Sequence, residues 1–158
     1  MIKGINVNLV MAGSAKDNEY YRELFNVINK YELSNQVRYL DYLLYEEMLT
    51  LYKLATALVI PSLFEGGGIP IFEAFYLGCP VVSSDAAALP KRVGNAGLLF
   101  DPNNIEDMAA KIYKIWTDEI VRKELIQKGY DRIKDMTLEN YATHWEGIIK
   151  EALELAKR

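Results

Sequence analysis

The sequence of 158 residues has few of the side chains on which metal and thiol chemistry depends. It has one cysteine, Cys79, and one histidine, His144, which excludes an internal disulfide, a thiolate metal cage and a histidine-rich metal site. No two aspartates lie two positions apart, so the Asp-x-Asp element that would hold a divalent ion on a nucleotide diphosphate is missing. The Gly-Lys-Ser/Thr ending of a P-loop is missing as well. These absences leave metal-independent chemistry or binding alone.

Charge and hydropathy exclude further classes of protein. The chain has 18 basic and 22 acidic side chains, a net charge of −4, so it lacks the concentrated basic face that a nucleic-acid partner requires. The most apolar stretch, Leu54 to Leu63, is too short to cross a bilayer and contains Pro61. No N-terminal stretch has the order of a signal peptide. Together with the single cysteine, these features predict one cytoplasmic domain over residues 1–158.

Short apolar runs alternate with longer amphipathic stretches along the first two thirds of the chain. The alternation predicts βαβ units and a Rossmann-like α/β fold, in which helices cover both faces of a parallel sheet. The predicted strands are residues 7–11, 37–40, 57–60, 80–83 and 98–100, and the predicted helices are residues 18–30, 45–54, 70–77 and 87–93. Helical spacing then predicts a tail of three helices, the last beginning at Thr137. We interpret the stripe of Tyr141 and Trp145 on that helix as core packing. The alternative is that these aromatics are exposed and mark the surface for a lost or separate partner.

The loop after the third predicted strand contains three successive glycines, Gly66, Gly67 and Gly68. In open parallel sheets, ligands bind outside the carboxyl ends of the strands. Glycines let the backbone approach a ligand, and the helix predicted to begin at Pro70 adds a partial positive charge. This arrangement suits a phosphate or a diphosphate. A turn that merely needs a flexible backbone is the alternative.

Two carboxylates accompany this loop. Glu73 lies on a predicted helix whose other side chains are nearly all apolar, where a carboxylate is costly unless it has partners. Helical side chains lean toward the N-terminus, so Glu73 would point back toward the loop that carries Glu65. A site of this kind suits a ligand with hydroxyls and phosphates, such as a sugar nucleotide. Alternatively, Glu73 caps a buried backbone group or pairs with a lysine.

Glu65 and Glu73, which are separated by seven residues, resemble the E-x7-E signature of the group 1 glycosyltransferases. Those proteins are retaining enzymes of family 4 with the GT-B fold. Blocks at residues 9–14, 37–40, 78–84 and 95–102 are similar to that family in the same order. The resemblance implies that the chain is the C-terminal half of such an enzyme. That half binds the donor, a nucleotide-diphosphate sugar, and family members act in carbohydrate or cell-surface polysaccharide biosynthesis.

The resemblance also implies roles for individual residues. Glu65 is the expected catalytic residue beside the hydroxyls of the transferred sugar, and Glu73 would hold the ribose hydroxyls. Backbone N–H groups of the loop would contact the sugar and the diphosphate, and the helix start would stabilise the leaving diphosphate with no metal and no cofactor. The expected donor-binding residues are Glu65, Gly66, Gly67, Gly68, Ile69, Glu73, Gly13, Ser14, Tyr42 and Leu43, the last two in the base pocket.

The sequence departs from the family in several places. Gly67 stands where an aromatic is frequent, and Lys91 stands where a glutamate is expected. We expect the acceptor-binding N-terminal half to be a missing domain or a separate subunit. Any peripheral attachment to a membrane would go through that half. This chain alone would therefore transfer sugar poorly or not at all. A non-catalytic module that senses nucleotide sugars or carbohydrates is the alternative function. An epimerase on the same fold is disfavoured, because His144 lies in the tail.

Three further residues have narrower expectations. Cys79 lies between Gly78 and Pro80 beside a predicted buried strand, so we interpret it as a small apolar filler rather than a nucleophile. Asp85 follows a strand end, which makes it a secondary candidate for a side chain that faces the ligand. His144 is expected at or near the surface.

Overall fold

The computed structural model describes residues 7–14 and 18–156 of the chain. These residues divide into two compact units, with the boundary between Leu51 and Tyr52. The expectation of one domain over residues 1–158 stays a prediction. Nowhere in the described ranges is there a helix long and apolar enough to cross a membrane.

The first unit is a βαβ motif followed by a helix. Its elements are β1 (Leu9–Ala12), α1 (Asn18–Lys30), β2 (Val37–Leu40) and α2 (Tyr45–Leu54), whose last residues belong to the second unit. The two strands pair in parallel, with Leu9 opposite Val37. Three aromatic rings pack α1 against β2: the Tyr39 ring lies 5.2 Å from that of Tyr21 and 6.3 Å from that of Phe25. The predicted alternation of strand and helix is therefore confirmed here.

The second unit contains a parallel three-stranded sheet and five helices. Its elements are β3 (Leu58–Ile60), α3 (Ile69–Tyr76), β4 (Val81–Ser84), α4 (Leu89–Val93), β5 (Gly97–Phe100), α5 (Ile105–Thr117), α6 (Glu119–Ile133) and α7 (Leu138–Leu155). The strand order is β3-β4-β5, and every residue of the central strand β4 is buried. Val82 of β4 forms a buried cluster with Phe100, Ile115 and Leu125, which joins the sheet to α5 and α6. The predicted α/β architecture with a helical tail is confirmed.

Local signals fix where the three tail helices begin, but not what they pack against. The side chains of Asn104, Asp118 and Thr137 each accept a hydrogen bond from a backbone N–H in the first turn of the helix that follows. All residues of α7 are exposed, and Tyr141 and Trp145 keep 63% and 46% of their surface accessible. The interpretation of this stripe as core packing was wrong, because an amphipathic pattern shows which face of a helix is apolar and not whether anything covers it.

The end of α3 is set by a glycine. Gly78 has φ +69°, and its N–H donates to the carbonyl of Phe75 while the next N–H, of Cys79, donates to that of Ala74. This pair of bonds is the Schellman motif, which satisfies the last carbonyls of the helix and turns the chain toward β4. The predicted stop at Gly78 is confirmed, and it fixes the length of the helix that carries Glu73.

Candidate functional site

Residues 61–68 connect β3 to α3 and contain the three glycines. Gly68 is the buried N-cap of α3 with φ +65°, a backbone conformation that favours glycine, and a Cβ there would crowd Cγ of Arg92 at 3.3 Å. Gly66 and Gly67 are exposed. A Cβ on Gly66 would meet nothing within 4 Å, and one on Gly67 would make only an ordinary contact at 3.9 Å. Packing explains Gly68 but leaves Gly66 and Gly67 available for another purpose.

The loop and the start of α3 present backbone N–H groups without partners. The helix begins at Ile69, so Pro70 occupies its second position rather than the first. Within the described residues, the N–H groups of Gly66, Gly67 and Ile69 donate no hydrogen bond to the protein. Donors of this kind at the positive end of a helix favour an anionic group such as a phosphate.

Glu65 lies at this helix start, half-buried. Its Oε1 accepts a hydrogen bond from the N–H of Gly68 at 3.4 Å, which is a long contact. The loop thus places one predicted carboxylate beside the first turn of α3. Because the contact is long, the carboxylate keeps acceptor capacity for a ligand.

Glu73, also half-buried, lies in the second turn of the same helix. Its Oε2 accepts a hydrogen bond from the hydroxyl of Tyr52 at 3.0 Å, and Tyr52 is only 7% exposed. Burial, with the nearby carboxylate of Glu73, raises the pKa of Tyr52 well above its usual value, so its hydroxyl stays a donor at neutral pH. The partner of Glu73 is therefore neither a lysine nor a backbone group. A neutral donor orients the carboxylate and leaves its negative charge in place.

Two carbonyls of the glycine loop are held by side chains from β4 and α4. The hydroxyl of Ser84 donates to the carbonyl of Ser62 at 2.5 Å. Nη2 of Arg92 donates to the carbonyl of Gly66 at 3.4 Å. Sequence reasoning missed Ser84, Arg92 and Tyr52. The only hint was for Ser84, which with Ser83 places two hydroxyls at the end of the buried strand β4.

The remaining predicted site residues lie in the first unit, after its two strands. Gly13 has φ +142°, and its carbonyl accepts a hydrogen bond from the hydroxyl of Tyr39. Ser14 is exposed, Tyr42 is 82% exposed, and Leu43 is half-buried. Because β1 and β2 are parallel, the residues that follow them lie at the same edge of that strand pair. The structure thus brings these four residues to one edge of the first unit, and the two glutamates and three glycines to one loop and helix of the second.

A profile of the glycosyl transferases group 1 matches residues 2–132, which is most of the chain. The chain belongs to the group 1 glycosyl transferases. The predicted membership of this family is thereby confirmed, and the parallel α/β architecture is that of one Rossmann-like half of the GT-B fold.

Relatives of this glycosyl transferase include O-antigen chain mannosyltransferase B of Escherichia coli. That protein is 36% identical over 120 residues, which cover 76% of this chain and 32% of the relative. A crystal structure titled as the C-terminal domain of a group 1 family protein from Francisella tularensis superposes with a TM-score of 0.68 at 25% identity, over 77% of this chain and 64% of that one. A crystal structure of TarM from S. aureus in complex with UDP and other ligands gives a TM-score of 0.71 at 25% identity, over 94% of this chain and 29% of that one. The chain thus spans about a third of the length of its E. coli relative.

Three other residues of this glycosyl transferase can now be placed. Cys79 is 2% exposed, and burial raises its pKa to about 11, so the thiol is an apolar filler as expected. His144 is exposed on α7, also as expected. Asp85 is exposed after β4, and its backbone N–H donates to the carbonyl of Phe100. Contact of Asp85 with a ligand stays a prediction.

Proposed function

We propose that the chain is the donor-binding half of a glycosyltransferase, which binds a nucleotide-diphosphate sugar for retaining, metal-independent transfer to an acceptor held by a second domain or subunit. The observation that carries the proposal is the start of α3. In the part of the chain that the structure describes, the N–H groups of Gly66, Gly67 and Ile69 have no partner. Two half-buried carboxylates, Glu65 and Glu73, flank them in the sequence. N–H donors fit phosphate oxygens, and carboxylates fit sugar hydroxyls.

The diphosphate, the ribose and the transferred sugar of the donor each have a partner in this arrangement. The diphosphate accepts hydrogen bonds from the loop and lies at the positive end of α3, where charge that develops on the leaving group is stabilised. Glu73, oriented by Tyr52, accepts hydrogen bonds from the ribose hydroxyls. Glu65 accepts them from the hydroxyls of the transferred sugar. The E. coli relative is named a mannosyltransferase, so a mannose donor is the first sugar nucleotide to test.

Binding of the 158-residue chain to UDP, GDP, UDP-glucose and GDP-mannose, measured by isothermal titration calorimetry, tests the proposal. We expect at least one of the four to bind. Glu73→Gln should lower the affinity for the nucleoside diphosphate and for its sugar derivative alike, by about tenfold or more. The reason is that a hydrogen bond to a charged group contributes about 1.5–3 kcal/mol. Glu106→Gln, the same change in the first turn of α5, is the control and should leave both affinities unchanged.

Glu65→Gln separates the roles of the two carboxylates. It should lower the affinity for the nucleotide sugar several-fold and leave the affinity for the free nucleoside diphosphate unchanged, because Glu65 is assigned to the sugar alone. If none of the four ligands binds, or if Glu73→Gln binds them as tightly as the unaltered chain, the proposed site is wrong.

A further inference from the structure

Arg92, the fourth residue of the short helix α4, lies directly against the glycine loop. Its Cβ and Cγ are the atoms that a Cβ on Gly68 would meet, at 3.6 and 3.3 Å. Its guanidinium carbon lies 6.0 Å from the ring centroid of Phe72, and its Nη2 donates to the carbonyl of Gly66. One side chain therefore touches the N-cap of α3, an aromatic ring of α3 and a loop carbonyl.

Packing alone does not explain an arginine at this position. Nε of Arg92 is buried and has no hydrogen-bond partner, and a buried donor left unpaired costs about 1–3 kcal/mol. A leucine or methionine could fill the space beside Phe72 and Gly68 without that cost. The guanidinium must therefore contribute something that an apolar side chain does not.

The backbone from which Arg92 projects is itself held in place. Nε of Arg132, on α6, donates to the carbonyl of Arg92 at 2.6 Å, and Nη2 of Arg132 donates to the carbonyl of Lys91. These bonds satisfy carbonyls in the last turn of α4, which is only five residues long. The backbone that carries the Arg92 side chain is therefore held in place beside the loop.

The contact with the carbonyl of Gly66, which at 3.4 Å is long, favours one direction for the next N–H group. A peptide unit is planar, and in its trans form the carbonyl and the following N–H point in opposite directions. With the carbonyl of Gly66 turned toward Arg92, the N–H of Gly67 points away from α4. Both residues of this peptide are glycines, which have wide backbone freedom, so no side chain of their own restricts its orientation.

We propose that Arg92 is a positioning residue that locks the Gly66–Gly67 peptide and so keeps the N–H of Gly67 available to the diphosphate of the donor. The proposal rests on the proposed function of the loop. It adds a specific cause for the orientation of one donor. It also gives a function to a cation that lies outside the E-x7-E segment.

The test compares Arg92→Met and Arg92→Lys with Lys91→Met. Methionine keeps the apolar stem but removes the charge and the donor. Lysine keeps the positive charge and a donor but lacks the planar guanidinium. Lys91→Met removes the same charge from the neighbouring, exposed position of α4. The ligands are UDP and GDP with their nucleosides uridine and guanosine, and calorimetry gives each affinity.

Arg92→Met should lower the affinity for the nucleoside diphosphate that binds by about tenfold. The affinity for the matching nucleoside should stay within about twofold of that of the unaltered chain, because only the phosphate contact depends on the peptide. Arg92→Lys should recover part of the loss, and Lys91→Met should cause none. The proposal is overturned if Arg92→Met binds the diphosphate like the unaltered chain, if it weakens diphosphate and nucleoside equally, or if Lys91→Met has the same effect.

A second readout does not require a ligand. In the unaltered chain, the Gly67 amide should give one sharp ¹⁵N–¹H signal, and in Arg92→Met it should broaden by exchange between two peptide orientations. If no diphosphate binds the unaltered chain, the proposed function fails, and the Gly67 signal still decides the role of Arg92. An unchanged, sharp signal in a folded Arg92→Met chain would overturn that role.

Discussion

The hydroxyl of Tyr52 donates a hydrogen bond to Oε2 of Glu73 at 3.0 Å, which links the end of α2 to the middle of α3. Tyr52 is buried and Glu73 is half-buried, so water competes only partly for this bond. A carboxylate held by a neutral donor has a fixed direction and an undiminished charge. Tyr52 is therefore the residue on which the orientation of the Glu73 carboxylate depends. In the proposed function, that carboxylate is the acceptor for the ribose hydroxyls.

Replacing Tyr52 by phenylalanine should weaken both folding and binding. The change keeps the buried ring and removes the donor to a charged acceptor, so we expect the free energy of unfolding in urea to fall by about 1.5 kcal/mol. Affinity for the bound nucleoside diphosphate should fall several-fold, since Glu73 loses its fixed direction. Tyr76→Phe is the control, because Tyr76 lies on α3 but is 72% exposed. If Tyr52→Phe and Tyr76→Phe had the same free energy of unfolding and the same affinity, the role of Tyr52 would be contradicted.

The raised pKa of Tyr52 predicts a loss of stability in alkaline solution. A tyrosine whose pKa is higher in the folded than in the unfolded state stabilises the fold fully below its ordinary pKa of 10.0, and the contribution is lost as pH rises through the folded pKa. Urea unfolding between pH 9 and about 11.5 should therefore show stability falling above pH 10. In Tyr52→Phe the fall should be shallower, and parallel curves for the two chains would show that Tyr52 titrates normally.

Cys79 gives a separate prediction about reactivity. Its buried thiol has a pKa raised from 9.0 to about 11, so almost no thiolate is present at pH 8 and no reagent can approach it. Iodoacetamide at pH 8 should leave the folded chain unlabelled and label it in denaturing urea. Labelling of the folded chain at the denatured rate would show that the turn after α3 opens readily.

Much of the architecture followed from patterns that are local in the sequence. Alternating apolar runs and amphipathic stretches gave the order of strands and helices, because each pattern reflects which face of one element is buried. The glycine loop was predictable for the same reason: a strand, three glycines and a helix are adjacent along the chain. Gly78 and Thr137 marked a helix end and a helix start through the conformation or capping bond that each residue type favours.

The contacts that support the site are not local, and no periodicity reports them. Tyr52 and Glu73 are 21 positions apart, and Arg92 and Gly66 are 26 apart. Many tyrosines and arginines of the chain have similar sequence surroundings, and only the packing of α2 and α4 decides which of them reach the loop. The stripe on α7 failed as a core prediction for a related reason: its pattern identifies an apolar face, and tertiary structure decides whether that face is covered.

Alanine at two of the glycines should separate folding from binding. At Gly68, with φ +65° and Arg92 Cγ 3.3 Å from the position of a Cβ, Gly68→Ala should lower the free energy of unfolding by about 1–2 kcal/mol. Gly66→Ala adds a methyl group that meets no protein atom within 4 Å, so the free energy of unfolding should change by less than about 0.5 kcal/mol.

Gly66→Ala, which should hardly affect folding, should instead weaken ligand binding. If the exposed side of the loop receives the diphosphate, the methyl group of Gly66→Ala occupies space that the ligand approaches, and affinity for the bound nucleoside diphosphate should fall about tenfold with folding intact. A Gly66→Ala chain that is folded and binds the diphosphate normally would mean that the glycine at position 66 serves neither packing nor the ligand. The exposed face of the loop would then lose its assignment as the phosphate site, even if Glu73 were retained as a contact of the ribose.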